Sequence, residues 1–417
     1  HHEKEGSYYT IKQLWSPVQI MNTSIDRLFD GKLSVENRYD YLNLNTCQFV
    51  WKQVKFPKVT DTSNATTQIL KEGKVQGSDV AAHATGILDL KTSILSDADA
   101  LFLTAIDQYG HELWRWTFPI DKLNQPIEQY SPLSNRSTYT ETDKEITVKA
   151  NNRTFVFSKV DGQLKGVSID NRKISFANGP RFIAARRADR SLDQFYNHDD
   201  EKAKEKDRTY SEFPDAAVFT NLDVKEDRGN LIVTAHYKLG NLDKAQWTIN
   251  PSGVVTLDYT YNFSGVVDLM GIRFDYPEDQ VLSKRWLGAG PYRVWQNRIH
   301  GTQYDIWEND YNDPIPGETF TYPEFKGYFG NVSWMNIRTK EGLISLTNET
   351  PNSYIGIYQP RDGRDRLLYT LPESGISVLN VIPPVRNKVN STDLCGPSSQ
   401  PKWVDGSKTG RIVFRFE

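Results

Sequence analysis

The chain has 417 residues, enough for two or three domains, with 38% hydrophobic and 25% charged residues, the composition of a soluble globular protein. A net charge of −3 supplies no electrostatic case for nucleic acid or an anionic membrane. No apolar run is long enough to span a bilayer, and no signal peptide is visible. The chain begins His1-His2-Glu3 without Met and reads as a piece cut from a longer protein.

Aromatic residues outnumber methionines, with 21 tyrosines, 19 phenylalanines and 10 tryptophans against three methionines, which favours β-structure. Two cysteines, Cys47 and Cys395, fall in different predicted domains and read as free thiols. No metal-ligand spacing surrounds them, so neither a metal nor a cofactor is expected. Asn-x-Ser/Thr triplets at Asn64, Asn135, Asn331 and Asn348 read as exposed turn chemistry.

At the start, Tyr8, Ile11, Leu14 and Trp15 have helical spacing, and Pro17 ends any helix at or before Ser16. From Val18 to Ile120 the signals are short strands: Leu33–Asn37, Phe49–Val54, Thr85–Leu90 and Ala100–Ile106. Their spacing predicts an immunoglobulin-like β-sandwich over 18–120. Residues 121–143, rich in Pro, Ser and Thr, read as a linker. Alternation resumes at Glu145, with Ile146, Val148 and Ala150 on one face and Phe155 and Phe157 at spacing two. Asp161-Gly162 is a hairpin signal. Ile232–Tyr237, Ala245–Ile249, Val254–Phe263 and Arg411–Phe416 are further strands. Residues 144–417 thus predict one large antiparallel two-sheet domain, interrupted by a solvated charged block, Asp199–Arg208.

The stretch from Trp286 to Trp307 holds most of the chemical interest. It reads as a strand end, a tight turn at Gly288 and Gly290, then a loop presenting Tyr292, Trp295 and Arg298. Rings beside a guanidinium suit a sugar, the rings covering its C–H face and the polar groups its hydroxyls. Packing in a sandwich core is the other reading of the same aromatics. His300 closes the stretch. A second cluster, Arg186, Arg187 and Arg190, offers forks to carboxylates or sulfates, or else a structural ion-pair network. His198 and His236 stand elsewhere, and Glu308, Asp310, Glu318 and Glu324 read as surface acids.

Trp286–Arg298 resembles the Gly-x-Gly-Pro segment in the last domain of large bacterial β-galactosidases of glycoside hydrolase family 2. There a Glu-Asn-Tyr-Pro-Asp-Arg-like run follows. Here Arg293-Val294-Trp295-Gln296-Asn297-Arg298 keeps an aromatic and Arg298. Glu3–Gln19 resembles the exit from that family's catalytic barrel, and Asn37–Leu44 a structural turn of its next domain. Phe182–Arg190 is similar to the family's Phe-x-Arg-Ala-Pro-x-Asp-Asn-Asp segment, keeping Phe182, Ala185 and Asp189. Pro384–Lys388 with Gly396–Gln400 resembles a late rim loop, and Tyr322–Asn331 a Pro-x-Glu-x-Gly turn. Val378, before Leu379-Asn380, stands where the family has an aromatic.

The resemblance implies an exit segment at 1–17 and, after the immunoglobulin-like sandwich, a supersandwich shared with galactose mutarotases and several polysaccharide lyases. It implies a non-catalytic C-terminal region of a family 2 glycoside hydrolase, because the two catalytic glutamates sit in the preceding barrel. The chain alone is then expected to be inactive. Its partners would be that barrel and a carbohydrate, either a β-galactoside or an acidic or branched glycan. Arg186, Arg187, Tyr292, Trp295, Arg298, His300 and Lys388 are the candidate substrate rim. A self-sufficient carbohydrate-binding module and a mutarotase-like enzyme are the alternatives. A bacterial periplasmic or secreted location is expected, and the sequence leaves homo-oligomerisation open.

Overall fold

Strand Lys32–Asn37 buries Leu33, Val35 and Asn37 while Lys32 points to water and Ser34 and Glu36 are only partly covered, the period-two pattern of a half-buried strand. The same pattern recurs along the computed structural model, which describes residues 4, 6–120, 136–187, 210–310, 327–357, 375–384 and 396–417. Within these the protein is all-β but for the helix Gly6–Leu14 and short 3-10 turns. It forms two compact units. Unit 1 holds 1–124 together with Leu287–Tyr292 and His300–Trp307; unit 2 holds the rest. The contiguous domains expected from sequence do not anticipate those two later segments.

Unit 1 is an immunoglobulin-like sandwich. One sheet runs in the order Gln68–Gln76, Gln48–Lys55, Ala100–Ile106, Glu112–Pro119, and the other Val18–Ile20, Lys32–Asn37, Thr85–Asp89. Their inner faces share one core, with Leu33, Val35 and Leu88 meeting Phe49, Trp51 and Leu103. The Asn37–Leu44 turn is structural, as read from sequence. The buried Asn37 amide donates to the Leu42 and Val80 carbonyls at 2.9 Å each and accepts from Tyr39 N–H. Cys47 is a buried free thiol, and Cys395 lies outside the described residues. The predicted helix forms, but Tyr8, Ile11, Leu14 and Trp15 are exposed.

Unit 2 carries the supersandwich. One sheet has, within this unit, the order Val218–Asp227, Asn230–Lys238, Leu242–Ile249, Val255–Asn262, Ser407–Phe416, Gly342–Asn348, Trp334–Thr339 and then residues 281–286 of the strand Val281–Gly290. The other has as its centre Ile376–Val381, Leu269–Asp275, Ala177–Arg187, Leu164–Ile169, Arg153–Ser158 and Glu145–Ala150. Every described pairing between these strands is antiparallel. Their core is aromatic: Phe176 stacks on Phe274 at 4.7 Å, and Trp247 meets Phe157 and Phe274 at 5.9 and 6.0 Å. Such rings bring area and geometry together.

Two expectations change at this level. Thr138–Glu141, read as linker, is a strand paired with Glu145–Ala150, while 121–135 lie outside the described residues. Gly288 and Gly290 do not make a turn but end the strand Val281–Gly290. At Gly290 the reason for glycine is close approach: a Cβ there would come within 2.4 Å of the Trp307 ring. The charged block Asp199–Arg208 lies outside the described residues.

Candidate functional site

The aromatic stretch divides between the two units. In unit 1, Trp307 donates its indole N–H to the carbonyls of Gly288 at 3.1 Å and Gln303 at 3.0 Å. Tyr292 places its ring 5.4 Å from that of Tyr9 and donates its hydroxyl to the Lys4 carbonyl. Burial raises the Tyr292 phenol above its ordinary pKa, with Tyr9 adding to the effect. His300 is exposed, and its carbonyl accepts from the Thr10 hydroxyl at 2.9 Å. Asp305 accepts from Arg115 at 3.0 Å and from Thr67 at 3.1 Å.

In unit 2, Trp295 and Arg298 exchange backbone hydrogen bonds at 2.9 and 3.3 Å, closing a tight turn. Trp295 is 3% exposed. Its ring meets Tyr328 edge-on at 5.6 Å and shares a core with Ile183, Ala185, Leu269 and Leu379. The expectation of a ring open to a sugar is therefore corrected: the indole fills the space over the strand Ala177–Arg187, as the core reading has it. This contact joins two stretches that the sequence reading had set side by side as rim elements.

Gln296 and Asn297 are the residues that sequence reasoning missed. Gln296 donates to the carbonyls of Ser398 at 2.9 Å and Gln400 at 2.6 Å, and Asn297 donates to the Ser399 hydroxyl at 3.0 Å. The backbone N–H of Gln296 donates to Pro383 at 3.0 Å. The turn is thus tied to the Gly396–Gln400 loop by side-chain amides. The available signal was two consecutive amides opposite a Pro-Ser-Ser-Gln loop, whose carbonyls need donors. At the turn, Asn297 and Arg298 remain partly exposed.

Arg186 is half-buried on the strand Ala177–Arg187, facing Ser211 across the ladder, and Arg187 pairs its backbone with Tyr210. Lys388, Asp189, Arg190, His198, Glu318 and Glu324 lie outside the described residues. His236 faces solvent, its Nε2 3.3 Å from Asp223. The Asp310 carbonyl accepts from the buried Lys284 ammonium at 2.5 Å. Val378 is buried in its strand. Among the described residues, no group of three or more His, Cys, Asp or Glu side chains is placed to hold a metal ion.

The profile of the family described as "Beta galactosidase small chain" matches residues 149–380, which include both the strand Ala177–Arg187 and the Trp295–Arg298 turn. No curated protein matches the chain. Among solved structures, a galactose 1-epimerase from Lactobacillus acidophilus NCFM is 10% identical, over 68% of this chain and 99% of that one, with a TM-score of 0.36. The YeaD protein of Salmonella typhimurium is 10% identical over 69% and 96% of the two chains, with a TM-score of 0.33. YidC from Thermotoga maritima is 14% identical over 68% and 51%, with a TM-score of 0.25. These likenesses are distant, and the fold rests on the strands themselves.

Proposed function

We propose, because the chain belongs to the beta galactosidase small chain family, that it is the non-catalytic C-terminal region of a family 2 glycoside hydrolase and completes the substrate pocket of a catalytic barrel. The reaction class is hydrolysis of a β-galactoside, with an acidic or branched galactoside accommodated by the arginines. The two carboxylates of the reaction belong to the barrel. The roles proposed here are binding and positioning. Arg298 offers a guanidinium fork to the glycan from the turn and Arg186 does so from the strand Ala177–Arg187, with Arg187 and Lys388 kept as further cationic candidates. Trp295 acts behind this surface as the packed wall that fixes it.

The observation that carries the reading is the tied turn. Trp295 anchors it in the core, Gln296 and Asn297 fasten it to the Gly396–Gln400 loop, and Arg298 stays partly exposed. A binding group contributes most when its backbone is fixed before the ligand arrives. A periplasmic or secreted bacterial setting goes with this proposal.

The test is hydrolysis of nitrophenyl β-galactoside. The chain alone should release no nitrophenol. Joined to its barrel it should support turnover, and Arg298→Ala should lower kcat/KM by about tenfold with the melting temperature unchanged. Turnover by the chain alone, abolished by His300→Ala, would replace this proposal with a self-sufficient glycosidase.

A further inference from the structure

A cleft of about 520 Å³ opens within unit 2, far in sequence from the Trp295–Arg298 turn. Its volume falls within the roughly 300–1,000 Å³ typical of small-molecule sites. One wall is aromatic. Phe219 and Tyr237 meet edge-on at 6.0 Å, and Gly162 presses so close that a Cβ there would stand 2.7 Å from the Phe219 ring and 2.8 Å from the Tyr237 hydroxyl. The Tyr237 hydroxyl is itself fixed, donating to the Asp161 carbonyl at 3.0 Å. These two rings are therefore held rigidly. Phe213, braced at 5.3 Å by Phe263, adds a partly exposed ring.

The other wall is polar and comes from neighbouring strands. Arg181 and Arg273 are direct cross-strand partners, so their side chains leave the sheet on one face. Each guanidinium is held by a carboxylate: Arg181 pairs with Asp275, and Arg273 stands 3.7 Å from Glu212. The Arg181 Nε–H is buried and has no hydrogen-bond partner among the described residues. Asp215 spends Oδ1 on the backbone N–H groups of Ala217 and Asn241, at 3.0 and 3.1 Å, which leaves Oδ2 as an acceptor. Three lining carboxylates, Asp161, Glu212 and Asp215, face two lining guanidiniums.

From this arrangement we infer that the cleft is a binding site for a neutral saccharide. Rigid rings cover the apolar face of a pyranose, while carboxylate oxygens accept from its hydroxyls. Both arginines are paired, Asp161 is held by Lys165, and Asp215 adds a further carboxylate, a lining that disfavours an acidic sugar. This inference goes beyond the role proposed for the Trp295–Arg298 turn and does not depend on it.

The test is calorimetric titration of the whole 417-residue chain with lactose, cellobiose, xylobiose and digalacturonate. At least one neutral disaccharide should bind. Glu212→Gln and Phe213→Ala, both at partly exposed positions, should each weaken that binding by about tenfold, the effect of losing one charged hydrogen bond or one ring contact, with unchanged melting curves. Digalacturonate should bind at least about tenfold more weakly than the best neutral disaccharide. The inference fails if no neutral disaccharide binds, if both cleft variants bind like the parent, or if digalacturonate binds as well. Loss of binding in Arg298→Ala alone would assign the sugar to the tied turn and also overturn the cleft site.

Discussion

Trp295 has its ring edge-on to Tyr328 and shares a buried core with Ile183, Ala185 and Leu379, so removing it leaves a cavity in a packed core. Trp295→Ala should cost roughly 3–5 kcal/mol in urea unfolding, and Trp295→Phe should recover part of this. An unchanged midpoint for the alanine variant would show a dispensable, solvent-facing ring. Gln296 acts through two donated hydrogen bonds rather than through area. Gln296→Ala removes the donor from both the Ser398 and Gln400 carbonyls and should cost about 1–3 kcal/mol. Gln296→Glu should be worse, since a carboxylate cannot donate to the Ser398 and Gln400 carbonyls. Asp161 has a pH signature. Burial alone would raise its carboxyl, but Lys165 at 2.5 Å, the Gln163 N–H and the Ser158 hydroxyl outweigh burial and hold it below the usual carboxylate range. A lowered folded pKa means stability that is present above the unfolded value of about 4 and lost as pH falls through the folded one. The stability difference between the parent and Asp161→Asn should therefore be widest near neutral pH and shrink below about pH 4. A difference that stays constant down to strongly acidic pH would rule out this origin.

Elements owe their legibility to how many of their faces are buried. Glu145–Ala150 and Arg153–Ser158 alternate cleanly because one face meets the core, and their sequence announces it. Val218–Asp227 is a ten-residue strand with no buried residue, and its polar run, Thr-Asn-Leu-Asp-Val-Lys-Glu-Asp at the end, leaves it out of the strands expected from sequence. Val281–Gly290 fails in the opposite way: nine of its ten residues are buried, alternation disappears, and its two glycines look like a turn. Ser407–Phe416 lies between Val255–Asn262 and Gly342–Asn348, and there Gly410 stands directly opposite Tyr259. A Cβ at Gly410 would lie 2.2 Å from the Tyr259 ring, whose phenol burial has pushed up to about 12. Gly410→Ala should therefore destabilise unit 2 by about 1–3 kcal/mol through overpacking, and Tyr259→Leu in the same chain should relieve part of that loss. Additive effects of the two changes would show that glycine is not kept there for the ring.

At the scale of the whole chain, the composition shift near residue 120 was visible, but the completion of unit 1 by residues 287–292 and 300–307 was not. Local periodicity reports the faces of a strand and is silent about a partner 190 residues away, the separation of Arg115 and Asp305. That partner matters physically. Arg115 lies over the Phe102 ring at 4.6 Å and reaches Asp305 at 3.0 Å, with both side chains mostly covered. Thr67 donates to the other oxygen of Asp305, and Phe56 packs against Tyr304 at 5.8 Å. A fragment ending at residue 124 lacks Tyr304 and Asp305, leaving a largely covered guanidinium and an aromatic ring without their partners. Breaking such a pair from one side costs more than the pair itself contributes, since the remaining charge stays desolvated. Hydrogen exchange on the amides of Gln48–Lys55, the strand at the centre of this sheet, reads the consequence. Protection there should be lower in the 1–124 fragment than in the full chain. Asp305→Ala in the full chain should lower it by about 1–3 kcal/mol, while Asp305→Asn, whose one amide oxygen can keep one of the two donors, should lower it less. Equal protection in the fragment and the full chain would mean that the sandwich closes its own core, and that the later segments only rest on it.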